Sequence, residues 1–235
     1  MALPKIENPK YTCVLPLSKK TVEYRPFLVG EQKVLLVAQE ADDANQQVRE
    51  MIRMIDVCCD DIKAESLSAI DLEYLFLQIR IKSVGETSDV VLQCSDCKKD
   101  NTVTINLEST EVIREGEEIS NVVELTPTIS LDLQHPTYKV IQQLDANKAD
   151  EPKQIFEVVA KCINAVIEGD EIHTRDDFTD KELQSFLDNM SMDMFEKIQE
   201  FFSSAPHLAI NHSYNCQECN TSNTLKLQGI ANFFA

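Results

Sequence analysis

Tryptophan is absent from this 235-residue chain, and all aromatic residues together make up only 6% of it. A core must therefore rest on aliphatic side chains, and 43% apolar residues supply enough of them to bury one. Glycine occurs only 5 times. That leaves little to build a phosphate cradle: neither G-x-G-x-x-G nor a Walker loop is present, and the G-x-S-x-G nucleophile elbow is missing too. Basic residues are scarce, 22 Lys+Arg against 40 Asp+Glu, giving a formal charge of −18. A field of that sign repels nucleic-acid backbones, whose affinity comes largely from cationic contacts, and suits a basic protein partner. No apolar run approaches the roughly 20 residues that span a bilayer. The N-terminal MALPKIENPKYTC lacks the apolar h-region of a secretory signal. These absences predict a soluble protein of a reducing compartment.

Cysteine, by contrast, occurs 8 times. A secreted disulfide scaffold is not the expected use, and vicinal Cys58 and Cys59 would make an awkward bridge. Cys13, Cys58, Cys59 and Cys162 fall in apolar patterns and read as small core residues. The other four repeat a design. VVLQCSDCKKDNTVTINL (Val90 to Leu107) holds Cys94 and Cys97; HSYNCQECNTSNTLKLQG (His212 to Gly229) holds Cys216 and Cys219. With Cys94 set on Cys216, Cys97 falls on Cys219, Asn101 on Asn223, Thr102 on Thr224, Val103 on Leu225 and Ile105 on Leu227. Two strand–knuckle–strand units therefore stand far apart in the chain.

Each C-x-x-C turn lets two thiolates converge on one ion, and two turns complete the tetrahedral four-cysteine shell of a zinc ribbon, a closed structural site. Joining the halves closes a loop of about 100 residues, at a chain-entropy cost on the order of 4.7 kcal/mol. Structural Zn²⁺ releases about 10–16 kcal/mol in small peptides at neutral pH and outweighs that cost. A redox C-x-x-C should open a helix after a strand; here each pair is followed by polar residues and another strand. Cys94, Cys97, Cys216 and Cys219 are thus the predicted ligands of one structural Zn²⁺. His212 is poorly spaced to replace a cysteine. Histidines 135, 173, 207 and 212 stand apart from any thiol outside the ribbon.

Along the chain, KYTCVLPLSKKTVEYRPF alternates around Ser18-Lys19-Lys20 as a hairpin does, and KVLLVAQE reads as either buried strand or helix start. Val48, Met51, Ile52, Ile55 and Cys59 keep helical spacing. Ser68 is placed to cap the next helix, with Asp71 reciprocating. That helix carries two apolar stripes, Leu72, Leu75, Phe76 and Ile79 beside Tyr74, Leu77 and Ile81, and belongs at the centre of a fold; Gly85 ends it. Residues 111–133 read as extended, with the EGEE at 115–118 a solvated loop. DEPKQIFEVVAKCINAVIEG reads as one helix ending at Gly169. The acidic run 168–182 lacks a calcium-loop pattern and reads as a solvated helix connection. Thr179 to Glu182 is a capping box, and Ser191 caps a last helix, with Met190 stapled to Phe195.

The expected architecture is α+β: N-terminal strands and helices, with a split four-cysteine zinc ribbon whose knuckles enclose a strand segment and a helical insert. Residues 1–89 form the N-terminal strand–helix region, 90–110 and 210–235 the ribbon halves, 111–149 an extended segment and 150–204 the helical insert, in one composite domain. Ile230, Phe233 and Phe234 make an apolar tail, packed on the protein's own core or inserted in a partner. Nothing points to catalysis, and a thiolate locked in a closed shell is unavailable as a nucleophile.

DLEYLFLQIRIKSVGE followed closely by C-x-x-C, together with VEYRPFLVGEQKVLLVA, MDMFEKIQEFFSSAPHL, the second C-x-x-C and the closing GIANFFA, resembles the baseplate hub family of T4-type contractile-tailed bacteriophages. The resemblance runs over nearly the whole chain. It implies a non-catalytic hub subunit or hub assembly factor whose partners are other baseplate or tail proteins. It implies trimeric or hexameric copy number in the assembled tail, and a place in the virion and in host cytoplasm during assembly. The alternative is a zinc-ribbon nucleic-acid-binding or adaptor protein. Charge disfavours it, since Lys98-Lys99 is the only adjacent basic pair on either knuckle.

Overall fold

In the computed structural model, which describes residues 8–40, 44–114, 116, 120–143 and 152–228, the alternating N-terminal stretch is the predicted hairpin. β1 (Tyr11–Val14) pairs antiparallel with β2 (Thr21–Tyr24). The ambiguous KVLLVAQE run is helical, inside α1 (Val29–Glu40). α2 (Ala44–Cys58) buries Met51, Ile52 and Ile55, and Cys59 is buried just past its end. α3 (Ala69–Val84) begins at Ser68, whose Oγ accepts from the Asp71 N–H at 3.3 Å, and stops at Gly85, where φ is +128°.

Asp71 does not reciprocate the cap. Its carboxylate turns to the hairpin, accepting from the N–H groups of Leu17 at 2.8 Å and Ser18 at 3.0 Å. This explains how a carboxylate can lie only 1% exposed: buried polar groups are tolerated when hydrogen-bonded. Both stripes of α3 are buried apart from Tyr74, which is half-buried. The second, Leu77 and Ile81 with Tyr74 beside them, packs into a cluster with Val90, Val103, Ile105 and Ile210.

β3 (Thr87–Gln93) and β4 (Asp100–Asn106) form the first knuckle's antiparallel strands, Val90 opposite Val103. β5 (Glu111–Ile113) follows. Next come β6 (Val122–Glu124) and β7 (Ile129–Leu133), so the described residues of the extended stretch 111–133 hold three short strands. Apart from Gly116, the EGEE stretch lies outside the described residues.

After α4 (Tyr138–Gln142) and α5 (Pro152–Cys162) the chain departs from its expected course. The helix stops at Cys162, and Ile163–Glu168 is a strand, β8, paired with β7 on one side and with β9 (Glu171–Thr174) on the other. Segment 150–204 is therefore not all helical. The apolar residues Ile163 and Val166 satisfy a helical period, but INAVIE is rich in β-branched residues, which fit a pleated surface. Gly169, at φ +60°, opens the tight turn between β8 and β9. The acidic run is accordingly a hairpin turn, a short 3₁₀ turn over Arg175–Asp177 and the first turn of α6 (Asp180–Asp188), rather than a connection between helices. The Thr179/Glu182 capping box is present, and Ser191 caps α7 (Met192–Ser203) through the Met194 N–H. Sheet order here is β6-β7-β8-β9. Leu131, Leu133, Val159, Leu183, Ile198 and Phe201 lie in its core. Phe156 stacks on Phe195 at 4.7 Å, with Met190 packed on the same cluster.

Last come β10 (His207–Asn215) and β11 (Ser222–Gln228), the second knuckle's strands, with β5 on the other side of β10. Contacts divide the chain into two compact units, Met1–Ile113 with His207–Ala235, and Arg114–Pro206. The second is inserted between two strands of the first that are themselves neighbours: Ile113 of β5 is the register partner of His207 of β10. No helix among the described residues is long and apolar enough to cross a membrane.

Candidate metal centre

Both knuckles belong to the first unit, and the same backbone bonds close each of them. The Cys94 N–H donates to the Lys99 carbonyl (2.9 Å) and the Lys98 N–H to the Cys94 carbonyl (3.2 Å). In the second knuckle the Cys216 N–H donates to the Thr221 carbonyl (2.9 Å) and the Asn220 N–H to the Cys216 carbonyl (3.0 Å). The residue after the second cysteine is left-handed in both, Lys98 at φ 60° and Asn220 at φ 61°. This local twist aims successive backbone N–H groups into the turn, where a sulfur anion accepts them.

The two turns meet. The sulfurs of Cys94, Cys97, Cys216 and Cys219 all lie within 4.8 Å of one another. Across the knuckles Cys94 and Cys219 are 3.7 Å apart, and Cys97 and Cys216 are 3.6 Å apart. These separations are too long for disulfides, at about 2.05 Å. They match the ~3.8 Å edge of a tetrahedron whose centre is about 2.3 Å from each sulfur, the Zn–S distance. Cys94 and Cys216 are buried, Cys97 half-buried and Cys219 exposed. Among the described residues this is the one grouping of His, Cys, Asp or Glu side chains that could hold an ion, and His212 has no part in it.

Electrostatics favour an ion as well. The Asp96 N–H, then the Cys97 N–H and Asn223, lower the Cys94 thiol below its ordinary value against the effect of burial. Cys216 is pulled down to about 6, first by the Cys219 N–H and then by the Glu218 N–H. Cys97 moves the other way. The Lys99 N–H pulls it down, but burial and the crowding sulfurs of Cys219, Cys216 and Cys94 push it up to about 12. Four sulfurs this close cannot all ionise unaided; a divalent cation among them removes the conflict. The remaining cysteines contrast with this group. Burial pushes Cys13 and Cys58 up to about 11 and Cys59 and Cys162 up to about 12, as expected of thiols used for packing.

The sequence repeat aligned Asn101 with Asn223 but gave them no role. Both are buried, and each reaches across to the other knuckle. Asn101 Oδ1 accepts from the Gln217 N–H at 2.9 Å, and Asn223 Oδ1 from the Ser95 N–H at 2.9 Å. The repeated Asn, four residues after the second cysteine in both knuckles, was the visible signal. Ile230, Phe233 and Phe234 lie outside the described residues.

In comparisons with known proteins, the family model described as T4 bacteriophage base plate protein matches residues 8–235. No curated protein and no solved structure matches the chain.

Proposed function

Since the chain belongs to the T4 bacteriophage base plate protein family, we propose that it is a non-catalytic part of the tail baseplate, either a subunit of the central hub or a factor that assembles it. The family match over residues 8–235 carries this reading. Its partners are other baseplate or tail proteins, and its copy number follows the three- or six-fold symmetry of the hub. It is made and assembled in the host cytoplasm and resides in the virion tail if it is a subunit.

One Zn²⁺ held by Cys94, Cys97, Cys216 and Cys219 is part of the proposal, supported by the sulfur separations of 3.6 and 3.7 Å. A bound Zn²⁺ supplies a four-thiolate cross-link and leaves no open position for chemistry. This chain's own contribution is to fix the two knuckles, and with them the strands β3, β4, β10 and β11 that pack on α3. A rigid surface for neighbouring subunits is the result. Nucleic-acid binding gains no support from a charge of −18.

Two measurements test the proposal. Elemental mass spectrometry of purified protein should find about one zinc per chain, lost in both Cys97→Ser and Cys216→Ser. Zinc kept by either variant sinks the shared site. Proteomics of purified tails separates the two assembly roles: a chain retained in mature tails is a subunit, and one found only in precursors is an assembly factor. Absence from both overturns the baseplate reading.

A further inference from the structure

The two buried asparagines do more than fill space at the ribbon's centre. Each amide works in both directions. Asn101 Nδ2 donates to the Lys99 carbonyl of its own knuckle at 2.9 Å while its oxygen takes the Gln217 N–H of the other. Asn223 Nδ2 donates to the Thr221 carbonyl at 2.9 Å while its oxygen takes both the N–H and the hydroxyl of Ser95, at 2.9 and 2.7 Å. Lys99 and Thr221 are equivalent positions of the repeat, as are Ser95 and Gln217. The pattern is thus a two-fold exchange: each asparagine closes its own turn and holds the residue after the first cysteine of the opposite turn. The two asparagines are 2% and 8% exposed, so their amides sit where an unmade bond is costly, although Ser95 and Gln217 themselves are exposed.

No other residue type of this size does both jobs. An aspartate accepts only, a leucine does neither, and asparagine is intrinsically poor in strands; yet it stands at the start of β4 and near the start of β11 alike. None of the bonds between the amides and the backbone includes a sulfur. The one sulfur contact is additional, Asn223 Nδ2 to Cys94 Sγ at 3.6 Å.

We propose that Asn101 and Asn223 form a metal-independent clasp that pairs the two knuckles before any ion arrives, so that the ion loads into a cage already assembled. This is the opposite order to small zinc modules, which are unfolded without metal. The clasp's significance rests on the metal reading above, but its existence does not. Both asparagines are positioning residues, acting on the thiolates through the turns that carry them.

The experiment uses the full chain, stripped of metal with a chelator, and reads amide hydrogen exchange at Ser95 and Gln217. Both amides should remain slow in the metal-free wild type. Asn101→Ala should free the Gln217 amide and Asn223→Ala the Ser95 amide. In the reloaded protein each substitution should weaken metal affinity about 10–100-fold, the usual range for a lost outer-shell partner, measured by competition with a chromogenic chelator. Exchange of Ser95 and Gln217 at unfolded-chain rates in metal-free wild type overturns the clasp. So does either amide staying slow after its own asparagine is removed. A Co²⁺ titration tells this failure from that of the metal reading. Slow amides without the tetrahedral thiolate absorption of Co²⁺ leave the clasp standing and refute the metal site. Co²⁺ absorption with fast metal-free amides does the reverse.

Discussion

Asp71 shows at the scale of one side chain how a local signal can conceal a distant partner. SAID reads as a capping box, and half of it is present: Ser68 caps through the Asp71 N–H. The carboxylate is used more than fifty residues back in the sequence, on the turn between β1 and β2, because two unpaired N–H groups there outcompete one at the helix start. Asp71→Ala leaves the N–H groups of half-buried Leu17 and exposed Ser18 without their carboxylate acceptor and should cost about 2 kcal/mol. Ser68→Ala should cost about 1 kcal/mol. Urea unfolding of the two variants checks the order, and equal losses would return Asp71 to a purely local role. The cysteines were more legible than the aspartate, because a repeat displays its residues wherever its two copies sit. Their chemistry divides accordingly. Thiols pushed to about 11 or 12 by burial stay protonated at neutral pH. Cys13, Cys58, Cys59 and Cys162 should therefore resist iodoacetamide in the native protein at pH 8, as peptide mapping by mass spectrometry would show.

At the scale of elements, a pattern was readable wherever one periodicity excluded the other. Helix α3 with its two stripes, the N-terminal hairpin and the strands of both knuckles follow from spacing alone. The α5–β8 junction does not, since Ile163 and Val166 fit a helix begun at Ile155 and also a strand begun at Ile163. Pairing with β7 and β9, contacts that a single segment does not encode, decides for the strand. Gly169 is the hinge of that decision. A side chain meets no steric obstacle there, yet φ of +60° strains any residue with a Cβ. Gly169→Ala should thus destabilise the Arg114–Pro206 unit by about 1–2 kcal/mol, measurable in thermal unfolding. The next caps respond to acid. Asp177 is held below the usual carboxylate range first by the Thr174 hydroxyl, and Glu182 first by the Thr179 N–H. Carboxyls lowered in the folded state stabilise it above their ordinary values, and that support fades as pH falls through the lowered ones. Amides in the first turn of α6 should exchange faster as pH drops below about 4, after correction for intrinsic rates, and Glu182→Gln should remove much of the pH dependence.

On the scale of the whole molecule, the Arg114–Pro206 unit is an insertion whose two ends leave from register partners, Ile113 and His207. Spacing along the sequence shows the knuckles far apart and suggests an expensive loop. The β5–β10 pair shortens that closure, because the unit that holds both knuckles needs only to bring two adjacent strands together. Replacing residues 114–206 with a short turn should leave a folded knuckle unit with the metal content measured for the full chain, tested by circular dichroism and elemental analysis. The excised segment should unfold cooperatively by itself. A knuckle unit that collapses without its insert would mean that the inserted unit is needed to fold it.

The same junction also sets a mechanical property. Both tethers of the inserted unit attach at one end of an antiparallel pair, so a force that pulls the two tethers apart loads the β5–β10 hydrogen bonds one after another, as a zipper opens, and not all at once in shear. Yielding would begin at Ile113 and His207 and run inward along β10. The four-cysteine cluster at that strand's far end would be the last element to feel the load.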